Sequence, residues 1–336
     1  PQPIVPKNTT LVSSYTHAVE IGPSPILIGE RINPTGKSKF KEALRQNNMD
    51  YILNEGIAQQ EKGVQILDVN VGLPEIDEVE MIKNAVFELQ SVIDLPLQID
   101  TVDIEAMEQS MRLYNGKPLV NSVNGKKKNM KDVFPLIKKY GGTLIALTID
   151  EDGIPETIEG RIKIAEKIIK TAKEYGIDKK DIVVDPLAMT ISSDTNSANI
   201  TLETVKRLSN MGIKTSLGVS NISFGLPNRE IINKTFLTIA MANGLDLPII
   251  NPNVPSMVWA VKAYKVLAAI DENSMDFIDY SSKVQPEVTT TKTEVVKSND
   301  STVSLGSELA DKILKAMETG MKDDGRSYTS QLLKEK

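Results

Sequence analysis

Residues 143–187 contain two short apolar runs, Thr143-Leu-Ile-Ala-Leu-Thr-Ile149 and Asp181-Ile-Val-Val-Asp-Pro-Leu187, on either side of a longer stretch. Near-continuous apolar runs of this length are typical of parallel strands buried on both faces. The stretch between them predicts an amphipathic helix whose apolar face consists of Ile158, Ile162, Ala165, Ile169 and Ala172. Gly176 predicts the end of this helix, because glycine readily adopts the left-handed conformation of a C-cap. The segment is therefore predicted to be a strand–helix–strand unit.

The same alternation recurs from Pro25 to about Ile270 and predicts eight strand–helix units. The predicted strands are Ile26–Gly29, Val64–Asn70, Leu95–Asp100, Leu119–Asn124, Thr143–Ile149, Asp181–Leu187, Lys214–Ser220 and Leu247–Asn251. Eight units in about 250 residues match the size of a (β/α)8 barrel. A doubly wound open sheet is the competing architecture, but no G-x-G-x-x-G run follows the first strand. We therefore predict an α/β fold, a (β/α)8 TIM barrel over residues 25–283.

Flanking segments are predicted on both sides of this barrel. Residues 1–24 open on Pro-Gln-Pro-Ile-Val-Pro and are predicted to be an interdomain linker, in which Thr10–Gly22 covers the bottom of the barrel. Residues 284–304 are rich in Thr, Lys, Val and Ser and predict a second linker. Residues 305–336 predict a helical extension with Leu309, Ile313, Ala316 and Met317 on one face. Because a lone helix is marginal in water, we expect it to belong to a following domain.

Composition excludes several classes of function. The 336 residues carry a net charge of −6 without a long basic block, which disfavours a nucleic-acid partner. No apolar run approaches the length of a membrane span and no signal peptide opens the chain, so a cytoplasmic protein is expected. The chain has no cysteine, which excludes disulfides and thiolate metal sites. Its single histidine, His17, precedes the first predicted strand of the barrel, which disfavours histidine acid–base catalysis.

Each predicted strand ends on small polar or acidic side chains. These are Glu30 and Asn33, Asp68 and Asn70, Asp100, Asn121 and Asn124, Thr148 and Asp150, Asp185, Ser220 and Asn221, and Asn251 and Asn253. In a barrel, such positions converge on the carboxyl face, where active sites lie. Any one of them could equally be an ordinary turn residue or helix N-cap, since Asn, Asp and Ser are favoured there. Together they predict a site for a ligand rich in hydrogen-bond donors and acceptors.

A pterin ring suits this set of side chains. Asp100 and Asp185 can accept paired hydrogen bonds from an amino-pyrimidine edge, and Asn121 can both donate and accept. The competing hypothesis is a magnesium ion held by Asp68, Asp100 and Asp185, which also predicts a nearby basic residue. Lys214 opens its strand and lies at the wrong end to supply that base. We therefore prefer the pterin and expect no metal in this chain.

A run that superficially resembles a P-loop lies at Gly29–Ser38, which reads G-E-R-I-N-P-T-G-K-S. Six residues separate its two glycines where a P-loop requires four, so the P-loop reading fails. Lys37 could still reach an anionic tail of the ligand, and the alternative is a solvated lysine. The segment is therefore retained only as a candidate contact with that tail.

Six motifs lie at Ile28–Lys37, Leu67–Gly72, Gln98–Thr101, Val120–Gly125, Val184–Leu187 and Leu217–Pro227. In order and spacing they closely resemble the pterin-binding module of cobalamin-dependent methionine synthase and the methyltetrahydrofolate:corrinoid methyltransferases. The resemblance spans roughly Pro1 to Ile270. It further implies that the opening linker follows a homocysteine-binding domain and that 305–336 is the first helix of the cap on a cobalamin module.

This resemblance assigns roles to individual residues. It implies that Asp100, Asn121 and Asp185 hold the pterin ring and that Asn221 lies against N5 of the ring. Arg229 and the Gly36-Lys37-Ser38 run match further folate-contacting positions. Glu30 and Asn33 match a strand end with an indirect role, and Asp68 and Asn70 are expected to orient the other side chains.

The implied reaction is the transfer of a methyl group from 5-methyltetrahydrofolate to cob(I)alamin, with the cobalamin held by another domain. The Asp-x-His-x-x-Gly motif of the cobalamin module and the zinc-binding cysteines of the homocysteine module are absent, so only this folate half-reaction is expected of the chain. Asn221 is the expected catalytic residue, since its amide can accept from a protonated N5 or donate to an unprotonated one. The alternatives are a stand-alone corrinoid methyltransferase, a dihydropteroate synthase, and a folate-binding scaffold without turnover.

Overall fold

A computed structural model of the chain describes residues 8–284 and 327–331. The strands of residues 8–284 are β1 (Thr10–Ser13), β2 (Ala18–Ile21), β3 (Ile28–Ile32), β4 (Ile66–Val69), β5 (Leu97–Asp100), β6 (Leu119–Asn124), β7 (Thr143–Leu147), β8 (Ile182–Asp185), β9 (Lys214–Gly218) and β10 (Leu247–Ile250). The helices are α1 (Ser38–Arg45), α2 (Met49–Glu61), α3 (Glu78–Val92), α4 (Ile104–Leu113), α5 (Lys127–Tyr140), α6 (Ile158–Glu174), α7 (Ser197–Asn210), α8 (Arg229–Ala242), α9 (Pro255–Leu267) and α10 (Met275–Lys283). Residues 327–331 are also helical.

Strands β3 to β10 form a closed parallel barrel in the order β10-β3-β4-β5-β6-β7-β8-β9. One or two helices follow each strand and pack around the outside of the barrel. The predicted (β/α)8 TIM barrel is thus confirmed. None of the helices in the described ranges combines the length and the apolar character that a bilayer crossing requires.

The predicted strands all overlap observed ones, but their bounds differ. The first strand of the barrel was predicted at Ile26–Gly29, which is too early. The observed strand β3 begins at Ile28 and ends at Ile32. Glu30 and Arg31 lie inside this strand. Because their side chains are polar, the second half of the strand does not show the apolar pattern used to predict it. The other observed strands match the prediction or are up to three residues shorter. The polar residues beyond their ends lie in the loops of the carboxyl face.

The prediction of which residues form the apolar face of α6 is also partly wrong. Its buried residues are Arg161, Ile164, Ala165, Ile168 and Ala172, whereas Ile158, Ile162 and Ile169 are only half-buried. The helix has adjacent stripes of isoleucine, and the stripe that faces inward is the one that includes Arg161, whose guanidinium donates to the carbonyls of Pro186 and Leu187. The predicted helix end is confirmed, since Gly176 follows α6 with a φ of 77°.

Apolar side chains fill the inside of the barrel below its carboxyl end. They are contributed by six strands and are Ile28, Ile66, Leu119, Ile145, Val183 and Leu247. Each is at most 1% exposed, so the interior is a packed core and not a pore. Since side chains alternate between the two faces of a strand, the residue two positions later points the same way. The polar residues that follow Ile28, Ile66, Leu119 and Val183 at this spacing therefore form the layer above the core.

A hairpin closes the amino end of the barrel. Strands β1 and β2 pair antiparallel, and Val12 and Ile21 join the interior core. The Thr143 hydroxyl at the start of β7 donates to the Leu11 carbonyl at 2.8 Å, and Ser13 pairs with Lys117 just before β6. Residues 10–21 thus cover the bottom of the barrel as expected, and His17 lies in the exposed turn of the hairpin. The assignment of residues 1–24 as an interdomain linker remains a prediction.

The predictions for the carboxyl-terminal region fall largely outside the described residues. These are the linker at 284–304, of which only residue 284 is described, and the helix positions Leu309, Ile313, Ala316 and Met317. The chain divides into two units, residues 1–284 and 285–336, and the predicted barrel lies wholly in the first unit.

Candidate functional site

The layer above the apolar core contains five polar side chains from five strands. They are Glu30 on β3, Asp68 on β4, Asp100 on β5, Asn121 on β6 and Asp185 on β8. Four of them lie two residues after a core residue of the same strand, and Asp100 lies two residues after the buried Gln98. All five therefore point towards the inside of the barrel at its carboxyl end.

Asp68 is the most deeply buried member of this layer. It is 3% exposed and accepts a 2.6 Å hydrogen bond from Nε2 of Gln98, which is fully buried. Burial raises the pKa of Asp68 well above its usual range, and the nearby Asp100 carboxylate raises it further. Asp68 therefore lies beneath the mouth of the barrel.

Asp100 lies at the end of β5, beside Asn121 in the register of β6. Its Oδ2 accepts a 3.0 Å hydrogen bond from Nδ2 of Asn70. Burial raises the pKa of Asp100 to about 6, and the Asn70 hydrogen bond opposes that shift. At neutral pH this carboxylate is mostly ionised, and it can accept hydrogen bonds from a ligand. Asn121 is half-buried beside it and presents both a donor and an acceptor.

Asp185 occupies the end of β8 and is 7% exposed. Its Oδ1 accepts a 2.7 Å hydrogen bond from the backbone amide of Leu187. Burial raises the pKa of Asp185 to about 7, whereas the Leu187 hydrogen bond and the positive charge of Arg161 lower it. The carboxyl group is thus balanced between its neutral and ionised forms near neutral pH. A ligand that donates hydrogen bonds to it would favour the ionised form.

Asn221 lies in a short 3-10 turn, Val219–Ser223, that directly follows β9. The residue is exposed, and its side-chain amide lies over Gly218, where a β-carbon would come within 3.0 Å of Nδ2. Because β8 and β9 are neighbours, the turn lies beside the end of the strand that carries Asp185. The side-chain amide is therefore available to a ligand at the mouth of the barrel.

Neighbouring loops hold the Asn221 turn in place. The hydroxyl of Ser220 donates to Glu30 at 3.1 Å, which joins the turn to β3. Arg229 donates from one terminal nitrogen to the Ser220 carbonyl at 2.7 Å and from Nε to the Ser223 hydroxyl at 3.0 Å. On the other side, Thr190 and Ser192 both donate to the Phe224 carbonyl, at 2.7 and 2.9 Å. Arg229, expected to contact folate, thus binds the turn that carries Asn221.

The segment after β3 is tied to Glu30. Nζ of Lys37 donates to the Glu30 carbonyl at 2.7 Å, so Lys37 is a half-buried residue and not a solvated one. Burial lowers the pKa of Lys37, and the neighbouring Arg31 adds to this shift. Burial likewise raises the pKa of Glu30, opposed mainly by Lys37. Gly36 has a φ of 72°, and the exposed Ser38 is the first residue of α1.

Several polar residues at the strand ends are turn residues. The side-chain oxygens of Asn33, Asn124, Asp150 and Asn251 each accept a hydrogen bond from the backbone amide two residues later. This local bond is the Asx-turn that favours Asn and Asp in loops. The observed hydrogen bonds of these four residues are therefore those of ordinary turn residues, which was the alternative to a role in ligand binding. Asn70 and Asp185 accept such a bond as well, from Gly72 and Leu187, but Asn70 also contacts Asp100 and Asp185 is buried.

Two buried residues of the site were not predicted. Gln98 could have been identified because it precedes Asp100 by two positions on one strand and so shares its face. Arg161 gives a weaker signal, since an arginine within an isoleucine-rich helix is normally assigned to the surface. Within residues 8–284 and 327–331, no group of three acidic or histidine side chains is arranged to hold a metal ion.

Residues 29–251 match the model of a family described as pterin binding enzyme. A methylcorrinoid:tetrahydrofolate methyltransferase of Eubacterium limosum is 32% identical over 252 residues, which cover 73% of this chain and 92% of that protein. A methionine synthase of Mycobacterium leprae is 30% identical over 276 residues, covering 77% of this chain and 23% of that protein. The chain thus spans most of the first relative and less than a quarter of the second.

Solved structures with the same fold include two dihydropteroate synthases. The enzyme of Yersinia pestis with a pterine-sulfa conjugate has a TM-score of 0.61 at 15% identity, covering 77% of this chain and 98% of that one. The enzyme of Xanthomonas albilineans in complex with 7,8-dihydropteroate has a TM-score of 0.60 at 17% identity, covering 78% and 99%. At this identity the likeness establishes the barrel fold alone. The family match and the sequence relatives together show that the chain belongs to the pterin binding enzyme family.

Proposed function

We propose that the chain binds 5-methyltetrahydrofolate and passes its N5-methyl group to cob(I)alamin, giving tetrahydrofolate and methylcobalamin, as the folate module of a methionine synthase. The observation that carries this proposal is a pair of carboxylates, the half-buried Asp100 and the buried Asp185, at the carboxyl end of a barrel of the pterin-binding family. The names of the relatives, a corrinoid methyltransferase and a methionine synthase, support methyl transfer. A stand-alone methyltetrahydrofolate:corrinoid methyltransferase is the alternative assembly.

The polar layer suits the amino-pyrimidine edge of a pterin. Asp100 and Asp185 are acceptors held by neighbouring donors, Asn70 and the Leu187 amide. Asn121, beside Asp100, can read an adjacent pair of ring nitrogen and carbonyl. The apolar core beneath the layer excludes water, so hydrogen bonds to the ring are stronger than they would be in solvent. In this proposal these three side chains fix the ring.

The chemical difficulty is the leaving group. The methyl group leaves N5 without its bonding electrons, so N5 would depart as an amide anion unless it gains a proton by the transition state. Asn221 can accept a hydrogen bond from protonated N5 through its carbonyl or donate to unprotonated N5 through its amide. The exposed position of Asn221 leaves a route for the proton from solvent. Asn221 is therefore proposed to stabilise the protonated transition state.

Cobalamin supplies a nucleophilic metal centre when its own domain presents it, and this chain is proposed to act on the folate alone. The contribution of the barrel is then to bind, orient and protonate the folate. The mouth of the barrel must remain open for the cobalamin-binding domain. We propose that this domain lies on the same polypeptide or on another one.

Two parallel assays test this proposal. Methyltetrahydrofolate is offered with chemically reduced cobalamin, and methylcobalamin formation is followed by absorbance. Pterin pyrophosphate is offered separately with p-aminobenzoate. Methyl transfer in the first assay alone is expected. Product in the second assay alone would establish a dihydropteroate synthase instead, and folate binding without turnover in either assay would indicate a scaffold.

A further inference from the structure

Arg161 of α6 is a buried cation outside the predicted site. It is 2% exposed and lies on the face of the helix that packs against the barrel. A charge in such a place persists only if it is fully hydrogen-bonded. Its Nε donates to the Pro155 carbonyl at 3.1 Å, and one terminal nitrogen donates to the carbonyls of Pro186 and Leu187 at 2.8 and 2.9 Å. These three carbonyls and the Thr201 hydroxyl, which also accepts from Arg161, are neutral, so the hydrogen bonds of this cation go to neutral oxygens and not to a carboxylate.

Two of these carbonyls belong to the turn that immediately follows Asp185. Leu187 has a φ of 67°, a left-handed conformation that is rare for a leucine. In this conformation its amide donates to Oδ1 of Asp185 at 2.7 Å. Thr201 of α7 also donates to the Leu187 carbonyl, at 3.1 Å, and accepts from Arg161 at the same distance. Unfavourable backbone conformations at functional sites are stabilised by surrounding contacts. Here the hydrogen bonds from Arg161 and Thr201 to the Leu187 carbonyl stabilise the left-handed conformation of Leu187.

We propose that Arg161 is a positioning residue for Asp185, which fastens the 186–187 turn so that the Leu187 amide holds one carboxylate oxygen and the other is presented to the pterin. The inference rests on the proposed function, because Asp185 is there assigned to the pterin ring. Arg161 touches neither ligand nor reacting atoms in this scheme. Its effect reaches the ligand only through Asp185.

The positive charge of Arg161 also favours the form of Asp185 that can accept hydrogen bonds from the pterin. It lowers the pKa of Asp185, which burial raises to about 7, and so favours the ionised form that accepts from a pterin. Burial lowers the pKa of Arg161, and the carboxylates of Asp185 and of Asp194, ahead of α7, oppose that shift. The strands that flank β8 present Leu147 and Gly218 near this end, which carry no charge. Removing the cation should therefore move the pH dependence of folate binding as well as its strength.

The test compares folate binding to variants of the whole chain between pH 5.5 and 8.5. Arg161→Met should weaken binding at pH 7 by about 10-fold or more and move the midpoint of the pH profile upwards by about one unit. Arg161→Lys retains a cation without the planar fork, so its midpoint should stay closer to that of the unmodified protein. Arg207→Met, which removes an exposed arginine of α7, is the matched control and should change neither quantity.

A double-mutant comparison separates positioning from general damage to the fold. In a chain that already carries Asp185→Asn, adding Arg161→Met should weaken binding by less than about 3-fold, because the route through Asp185 is gone. An equal loss in both backgrounds, or a pH profile that Arg161→Met leaves in place, overturns the inference. Should Arg161→Met fail to fold, Thr201→Val provides the test, since it removes the other donor to Leu187 and should weaken binding without moving the midpoint.

Folate binding by the Asp185→Asn variant alone distinguishes an error in the proposed role of Asp185 from an error in the proposed role of Arg161. If this variant binds folate as tightly as the unmodified protein, the proposed role of Asp185 is wrong and the role of Arg161 fails with it. If Asp185→Asn loses affinity and Arg161→Met does not, only the role of Arg161 is wrong.

Discussion

The side-chain amide of Asn70 donates a 3.0 Å hydrogen bond to Oδ2 of Asp100, which joins the loop after β4 to the end of β5. The same asparagine accepts from the Gly72 amide at 3.0 Å, so its orientation is fixed from both sides. This bond lowers the pKa of Asp100 against the larger upward effect of burial. Asn70, which is not among the residues proposed to contact the pterin, thereby favours the ionised form of Asp100, which is proposed to bind the ring.

Asn70→Ala should make folate binding more sensitive to acid. Removing the donor raises the pKa of Asp100 above its present value of about 6, so the ionised form that accepts from the pterin is lost at a higher pH. We expect affinity to fall about 3- to 10-fold at pH 6.5 and much less at pH 8.5. Titration of folate fluorescence at both pH values measures this. A uniform loss at both would show that Asn70 acts by shape alone.

Asp185→Asn should stabilise the ligand-free protein in alkaline solution. The pKa of Asp185 is about 7 in the folded state against 3.8 as the reference value, so the folded state holds more protons between these values. Stability contributed by this group therefore falls as pH rises from about 4 to 7, and the full penalty, at most about 4 kcal/mol, applies above pH 7. Thermal unfolding should show a higher Tm for the variant at pH 8 and a small difference at pH 5. Asp178→Asn, at the opposite end of the barrel, is the control.

Asn221→Ala should separate chemistry from binding. If the side chain acts on N5 mainly in the transition state, methyl transfer should fall about 100-fold while the folate Kd changes less than about 3-fold. Single-turnover transfer to reduced cobalamin and equilibrium folate binding measure the two quantities. Asn243→Ala, which removes a side-chain hydrogen bond at the far end of α8, should leave both unchanged. Equal losses in rate and affinity would remove Asn221 from the N5 position.

Tyr114→Phe should loosen the hairpin at the bottom of the barrel. The buried hydroxyl accepts from the Leu97 amide at 3.1 Å and donates to the Ser13 carbonyl at 2.9 Å, so one oxygen joins β5 to β1. Its removal leaves a buried amide without this acceptor, and we expect the free energy of unfolding to fall by about 1–3 kcal/mol. Denaturant unfolding measures the change. Tyr175→Phe, at an exposed tyrosine that packs on Phe134, should cost less than about 0.5 kcal/mol.

The barrel and most of its polar layer could be predicted from the sequence because strand patterns are local. Side chains alternate with a period of two, so an apolar residue such as Val183 and the polar Asp185 after it must share a face wherever that strand lies. The succession of eight such runs and the short loops between them then leave few ways to close the sheet. The same period of two also identifies Gln98 as an inward-facing residue, because it lies two positions before Asp100.

Other assignments depended on which segments meet in space. Whether an asparagine at a strand end bonds its own turn, as Asn124 does, or a neighbouring carboxylate, as Asn70 does, depends on the partner that tertiary structure brings within reach. The inward orientation of Arg161 likewise requires the carbonyls of residues 186 and 187, which lie 25 and 26 positions away along the chain. Period and composition determined where the layer of polar side chains lies in this barrel. Only the folded chain decided which side chains hold that layer in place, because hydrogen bonds between distant loops leave no repeating pattern in the sequence.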